Sequence, residues 1–206
     1  VLAPQAVLLH SDTCYFGVRF LPGYNPVLGS SEIMSQLVNH QIPLDELIQD
    51  RRMLEGICGT TDFRKQIRAF MRSYMNIYRR ACPMEHSNLL VLHSFNLLIR
   101  SAGSISIEQL AEDTGYTARY IDRCFRNETG LSPKQLAKIV RFQAAVSALN
   151  QNQHKGRSLT EIAADLGYFD QSHFVHDFKA YTGLTPKKYQ KLLLHDSFEE
   201  KLRIVQ

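Results

Sequence analysis

The chain lacks the sequence features of membrane-spanning, secreted and metal-bound proteins. No stretch approaches the roughly 20 uncharged apolar residues that a membrane span requires, and the N-terminus has no basic-then-apolar signal pattern. Its four cysteines are far apart, without a CxxC pair or a Cys–His pair at zinc-finger spacing. We therefore expect a cytoplasmic protein with isolated buried thiols rather than a metal site or disulfides, and no membrane partner.

Motifs of enzymes are equally absent. No Ser-His-Asp spacing, glycine-rich phosphate loop, HExxH sequence or carboxylate pair stands out. We therefore expect neither catalysis nor a cofactor. One-sided charge is also absent, because the net charge of +4 is divided evenly between the two halves of the chain. A case for nucleic-acid binding has to come from local pattern.

What is present is a mostly helical chain that can form a core. The 206 residues are 44% hydrophobic and 21% charged, as in an ordinary globular protein of one or two domains. Aromatic and β-branched residues between positions 6 and 20 predict two short strands, which alone do not form a stable domain. We expect them to end a β-rich domain whose beginning is missing, so that the chain is a fragment. The predicted parts are this β remnant at 1–30, a helical linker or dimerisation region at 31–103 with helices at 31–39, 44–57, 61–81 and 85–100, a repeated helical domain at 104–194, and a tail at 195–206.

Residues 106–133 and 158–186 are two copies of one unit. The residues Ser106, Ala111, Gly115 and Tyr116 recur 52 positions later, and Phe125, Gly130, Leu131 and Pro133 recur 53 positions later. The second copy therefore contains one extra residue between these two groups. So many matches in under 30 residues indicate a duplication.

Each copy has the signals of two helices separated by a tight turn. Ser106 with Gln109, and Ser158 with Glu161, have the spacing of a capping box at a helix start. A glycine then follows the first helix, and the predicted second helices, 117–128 and 170–181, each end in Thr-Gly. This is the helix-turn-helix arrangement, in which the second helix lies in the DNA major groove. A solenoid of helical hairpins is disfavoured, because it needs three or more repeats. A predicted helix at 133–149 joins the copies.

The second half resembles the DNA-binding domain of the AraC/XylS family of bacterial transcription regulators, which has two helix-turn-helix motifs bridged by a long helix. The run DQSHF…FK…TGLTP from Asp170 is close to the family's signature. The resemblance covers about residues 100–191, and residues 16–50 look like the end of the β-rich sensor domain of some members. It implies a mainly α fold with two helix-turn-helix subdomains joined by a long helix, preceded by a helical linker region and a short β remnant. It also implies double-stranded DNA and RNA polymerase as partners, while the effector, the operator and the direction of regulation stay open.

The first recognition helix is the more basic one. We predict that Tyr120, Ile121, Cys124 and Phe125 are buried, which exposes the opposite face. That face carries arginines, and arginine is the residue that most often contacts guanine. The resemblance also places base-contacting residues on this face. Asp122 either accepts from cytosine N4 or orients an arginine, and we prefer the second role. The predicted DNA contacts of this copy are Arg119, Asp122 and Arg123 to bases, and Arg126 and Lys134 to phosphates.

The second recognition helix carries fewer charges. We predict Phe174 and Phe178 in the core, and Gln171, Ser172, Val175 and His176 exposed. Gln171 has the side chain for bidentate contact with adenine. We do not assign His173 and His176 to a metal, because i,i+3 spacing without a third ligand is weak evidence. The further predicted contacts are Ser158 and Thr160 at a helix start, and Lys187 and Lys188 after Pro186.

Helix 61–81 is basic and amphipathic. It is either a membrane-surface or second nucleic-acid contact, or, as we prefer, a bundle helix with a solvated basic face. Helices 61–100 are also a candidate homodimer interface, because members of the family often dimerise through helices before the DNA-binding domain. The alternative to DNA binding is a helical protein-interaction module that exposes the region of Tyr74 and Leu92, with a degenerate DNA-binding repeat.

Overall fold

The protein is represented by a computed structural model, which describes residues 16–18, 38, 40, 46, 50–81, 86–152 and 156–193. The helices within these ranges, numbered here from α1 to α9, confirm the prediction of a mainly α fold. None of them is both long and apolar enough to cross a bilayer. They are α1 (Arg51–Cys58), α2 (Phe63–Ala81), α3 (His86–Arg100), α4 (Ile107–Thr114), α5 (Ala118–Thr129), α6 (Pro133–Gln151), α7 (Leu159–Asp165), α8 (Gln171–Thr182) and α9 (Pro186–Leu193).

The N-terminal predictions are only partly covered by the described residues. Of the predicted strands only 16–18 are described, and these three residues have no regular secondary structure. The predicted helix 31–39 lies almost entirely outside the described residues. The single helix predicted at 44–57 is wrong, because Asp50 interrupts it as the N-cap of α1. Its carboxylate accepts from the backbone N–H groups of Arg52 and Met53 at 3.1 and 3.3 Å.

α1 and α2 pack closely on each other. Met53, Ile57 and Phe70 are the buried residues of their shared core. Gly56 allows the close approach, since a Cβ added there would lie 2.8 Å from the Cβ of Ala69. The apolar side of the amphipathic helix predicted at 61–81 is buried only in part, because α2 exposes an apolar row next to the buried Phe70. This row, the α2 stripe, consists of Phe63, Ile67, Met71 and Met75.

The chain forms two compact units. One contains residues 97–107 and the described residues from 134 to 193, and the other contains the described residues from 16 to 96 together with 108–133. The predicted division at residues 103 and 104 stays a prediction. The two copies of the repeat have their recognition helices, α5 and α8, in different units, and each is described by itself below.

The core of the unit that contains α8 is built around α6. Phe174 and Phe178 of α8 are fully buried, as predicted, and pack with residues of α6 and α7. Ala163 of α7 is 1% exposed and belongs to the same core. Burial raises the pKa of Tyr168 to about 12, so its phenol is neutral in this core.

Arg141 of α6 connects this core to the segment before α4. Its guanidinium donates to the carbonyl of Gly103 at 2.6 Å and lies 5.4 Å from the ring centre of Tyr168. Gly103 has φ +75°, a conformation that glycine adopts without strain. The segment before α4 is therefore held on α6 by a bond to a charged donor.

Candidate nucleic-acid interface

Both recognition helices are defined by side-chain caps. Thr117 caps α5 and Asp170 caps α8, each accepting a backbone N–H three residues further on. Each helix therefore starts and ends one residue later than the predicted 117–128 and 170–181. Gly130 and Gly183, both with φ 71°, end the two helices in the left-handed conformation. The duplication seen in the sequence is thus repeated in the geometry of the caps.

α5 separates an apolar face from a charged one. Ile121, Cys124 and Phe125 are buried as predicted. Tyr120 is only half-buried, because its ring stacks on Tyr116 at 5.1 Å on the surface instead of entering the core. The opposite face exposes the arginines. These are Arg119, Arg123 and Arg126, and with Asp122 they line a surface depression of about 520 Å³.

Two contacts arrange the side chains of this face. The carboxylate of Asp122 accepts from Nε of Arg126 at 2.7 Å, so it orients that arginine and offsets its charge. The guanidinium of Arg123 lies over the ring of Tyr120, 5.0 Å from its centre. The neutral ring of Tyr120 thus positions Arg123 without forming an ion pair with it. The five N–H donors of the guanidinium are left available for hydrogen bonds to DNA.

The neutral groups beside these arginines stay neutral. The nearby Cys124 raises the pKa of Tyr120, and burial raises the pKa of the Cys124 thiol. The charge that α5 presents on its exposed face therefore comes from the arginines and Asp122 alone.

α8 presents a face with a different chemistry. Gln171, Ser172 and His176 are exposed as predicted, whereas Val175 is half-buried instead of exposed. Asp177, with 14% of its side chain exposed, has the imidazole of His173 at 3.5 Å and that of His176 at 3.9 Å. Within the described residues, no group of three or more potential ligands is arranged to hold a metal.

α7 positions the start of α8. The hydroxyl of Thr160 donates to Oε1 of Gln171 at 2.8 Å. Ser158 and Glu161 form the predicted capping box, in which both the backbone N–H and the hydroxyl of Ser158 donate to Oε2 of Glu161. A phosphate contact from Ser158 therefore requires this carboxylate to move aside.

Three exposed lysines occupy the first turns of α6 and α9. Lys134 follows the buried Pro133, and Lys187 and Lys188 follow the buried Pro186. Proline at the first position of a helix leaves the other free N–H groups of that turn in place. A lysine ammonium group beside these N–H groups forms a site that is suited to binding phosphate oxygens.

The comparisons with known proteins agree with this geometry. The family described as "Helix-turn-helix domain" matches residues 83–192, more than half of the chain. An uncharacterized HTH-type transcriptional regulator of Haemophilus influenzae is 38% identical over 85 residues, which are 41% of this chain and 28% of that protein. The HTH-type transcriptional activator AarP of Providencia stuartii is 29% identical over 104 residues, 50% of this chain and 72% of the relative.

A third relative extends the comparison. The XylDLEGF operon transcriptional activator of Pseudomonas putida is 29% identical over 83 residues, 40% of this chain and 26% of the relative. The match thus covers only about a quarter of the Haemophilus and Pseudomonas proteins. No solved structure gives a significant match. The family match over residues 83–192 and these relatives show that the chain belongs to the AraC/XylS family of helix-turn-helix transcriptional regulators.

Proposed function

We propose that residues 104–194 bind double-stranded DNA sequence-specifically and regulate transcription, with α5 and α8 each in a segment of the major groove. The observation that carries the proposal is the division of α5 into a fully buried apolar face and a face that exposes Arg119 and Arg123. An exposed arginine one turn from another is suited to the O6 and N7 acceptors of guanine. The proposal assigns no catalytic reaction to the chain.

The side chains divide into base and phosphate contacts. Arg119 and Arg123 contact bases from α5, with Asp122 as the residue that orients Arg126. From α8, Gln171 contacts adenine, with Ser172 and His176 beside it on the exposed face. The remaining contacts position the protein on the phosphate backbone. These are Arg126, Lys134, Lys187 and Lys188, with Ser158 once Glu161 releases it.

Selection of bound duplexes from a random DNA pool tests this function, at two salt concentrations. Two informative blocks about one helical turn apart, roughly 10 base pairs, are expected if both recognition helices contact bases. Arg123→Ala is expected to remove the guanine preference in one block and to weaken binding of the selected site about tenfold or more. Arg72→Ala, an exposed arginine of α2, is the matched control and is expected to leave the selected sequence unchanged.

The alternative of a protein-interaction module makes the opposite prediction. It expects no sequence enrichment and no effect of Arg123→Ala. The surface that it invoked around Tyr74 and Leu92 is half-buried, and Tyr74 stacks on Phe70 at 5.5 Å. That packing favours a structural role for these residues and thereby the DNA-binding proposal.

We also propose that the chain forms a homodimer through the α2 stripe, within the predicted interface of helices 61–100. The four side chains recur at intervals of four residues, and each is at least 36% exposed. α2 has six basic and no acidic residues, so two copies repel each other and their association is expected to strengthen with salt. Sedimentation at low and high salt tests this, with Ile67→Glu expected to dissociate the dimer and Asn76→Glu, on the same helix, as its control. A contact with RNA polymerase stays a prediction.

A further inference from the structure

The caps of the two recognition helices identify the extra residue of the second copy. In the first copy the N-cap Thr117 directly follows Tyr116, whereas in the second copy Phe169 separates Tyr168 from the N-cap Asp170. From the N-caps onward the copies again agree, with Ile121 and Phe174 both fully buried. Phe169 is therefore the inserted residue, and the turn of the first copy has no residue that corresponds to it.

Phe169 projects into solvent. It is 92% exposed, the highest value among the large exposed hydrophobic residues of the described chain, and no other ring contacts it there. Its neighbours on both sides are anchored. The ring of Tyr168 is buried against Phe174 at 5.2 Å, and the carboxylate of Asp170 accepts from the N–H of His173 at 2.7 Å. The backbone of Phe169 is thereby fixed, and its ring cannot enter the core that its neighbours occupy.

The position of this ring relates it to the bases. Phe169 precedes Gln171, the first residue of α8, by two positions. The N-terminal residues of a recognition helix are those that approach base edges. Among the groups that base pairs display in the major groove, the C5-methyl of thymine is the apolar one, and a phenylalanine ring is suited to contact it.

We propose that Phe169 is a specificity-determining residue, whose ring contacts a thymine methyl next to the base contacted by Gln171. This inference rests on the proposed DNA-binding function and adds to it a preference that no polar residue of α8 supplies. Desolvation of the ring and the methyl together favours thymine over cytosine and over uracil at that position, since uracil differs from thymine only in lacking the methyl.

Replacement of single thymines by uracil in the selected duplex tests this contact. The affinities of the unchanged protein and of Phe169→Ala are measured on the thymine duplex and on each uracil duplex. At one position beside the Gln171 contact, we expect uracil to weaken binding by the unchanged protein about fourfold. In Phe169→Ala the same exchange is expected to have no effect, and Phe169→Leu is expected to restore part of it.

The controls separate the possible causes. Thermal unfolding is expected to be the same with and without Phe169→Ala, because the ring has few contacts to lose. Leu192→Ala on α9, an exposed apolar residue outside the proposed DNA and dimer contacts, is the matched variant and should keep the full uracil effect. If the unchanged protein binds no duplex, the proposed function itself fails. If it binds specifically, but the exchange of thymine for uracil weakens binding equally in the unchanged protein and in Phe169→Ala, or in neither, only the role of Phe169 is overturned.

Discussion

The hydroxyl of Thr160 donates a hydrogen bond to Oε1 of Gln171 at 2.8 Å, so that α7 orients the first side chain of α8. The bond uses one of two lone pairs on Oε1 and leaves the NH₂ group of the amide free. This bond fixes the orientation of the amide acceptor and donors of Gln171 before the protein binds DNA. Adenine requires both, since N6–H₂ donates and N7 accepts.

Thr160→Val is expected to weaken binding of the selected site about two- to tenfold, the range of one lost hydrogen bond. The substitution keeps the shape of the side chain and removes only its donor, so the adenine preference should fall while binding to unrelated DNA is unchanged. Fluorescence anisotropy with the selected and an unrelated duplex measures both. Thr61→Val, at an exposed position before α2, is the control. An undiminished adenine preference in Thr160→Val would show that the bond does not orient Gln171.

Asp122→Asn is expected to increase affinity for DNA of any sequence and to steepen its salt dependence. The carboxylate that pairs with Arg126 at 2.7 Å would be replaced by a neutral amide, so the negative charge that offsets the phosphate contact of Arg126 is removed. One whole phosphate contact contributes about −0.9 to the slope of log affinity against log salt, so the substitution is expected to change the slope by no more than this amount. Titrations between low and moderate salt determine this slope.

Glu55→Gln on α1 removes one negative charge, as Asp122→Asn does, and therefore controls for the change of net charge alone. An equal change of slope in both variants would mean that the ion pair has no specific role. A loss of base preference in Asp122→Asn, without a change of slope, would instead indicate that Asp122 accepts from cytosine.

The local elements of the repeat could be predicted from the sequence, because they depend on residues close in the chain. Ser158 with Glu161 marks a helix start, and Gly183 marks a helix end, whatever surrounds them. Contacts between elements could not be predicted in this way. Hydrophobicity alone placed Tyr120 in the core, yet its ring lies on the surface against Tyr116. The position of the extra residue likewise became clear only from the caps, since several alignments of the two turns fit the sequence equally.

The capping box of α7 is expected to make the protein more sensitive to acid. Hydrogen bonds from the backbone N–H and then from the hydroxyl of Ser158 lower the pKa of Glu161. A carboxyl with a lowered pKa in the folded state stabilises that state above its unfolded value of about 4.3. This contribution is lost as the pH falls from there through the lowered pKa.

Melting temperatures between pH 7 and pH 3 measure the effect. Glu161→Gln should melt below the unchanged protein at pH 7, and the difference should shrink toward pH 3. Glu112→Gln, an exposed glutamate on α4, provides the comparison for charge alone. A difference between Glu161→Gln and the unchanged protein that is independent of pH would contradict the role of the ionised carboxylate.

Gly103→Ala is expected to destabilise the protein much more than Gly115→Ala. Both glycines have positive φ, +75° and +72°, so alanine is strained at each by about 1–2 kcal/mol. At Gly115 an added Cβ meets no atom within 4 Å. At Gly103 it would lie 2.2 Å from the carbonyl oxygen of Ala137, which belongs to the backbone of α6.

Because a helix backbone cannot yield as a side chain does, the segment carrying Gly103 has to move away from α6. That movement also lengthens the 2.6 Å bond from Arg141 to the Gly103 carbonyl. We expect Gly103→Ala to lower the free energy of unfolding by at least about 2 kcal/mol more than Gly115→Ala, the scale of an overpacked site with a lost bond. Urea denaturation of the two variants and of Arg141→Met tests this. Equal losses at both glycines would mean that the contact with α6 is not tight, whereas a smaller effect of Gly103→Ala in the Arg141→Met background would show that the two residues stabilise the same arrangement.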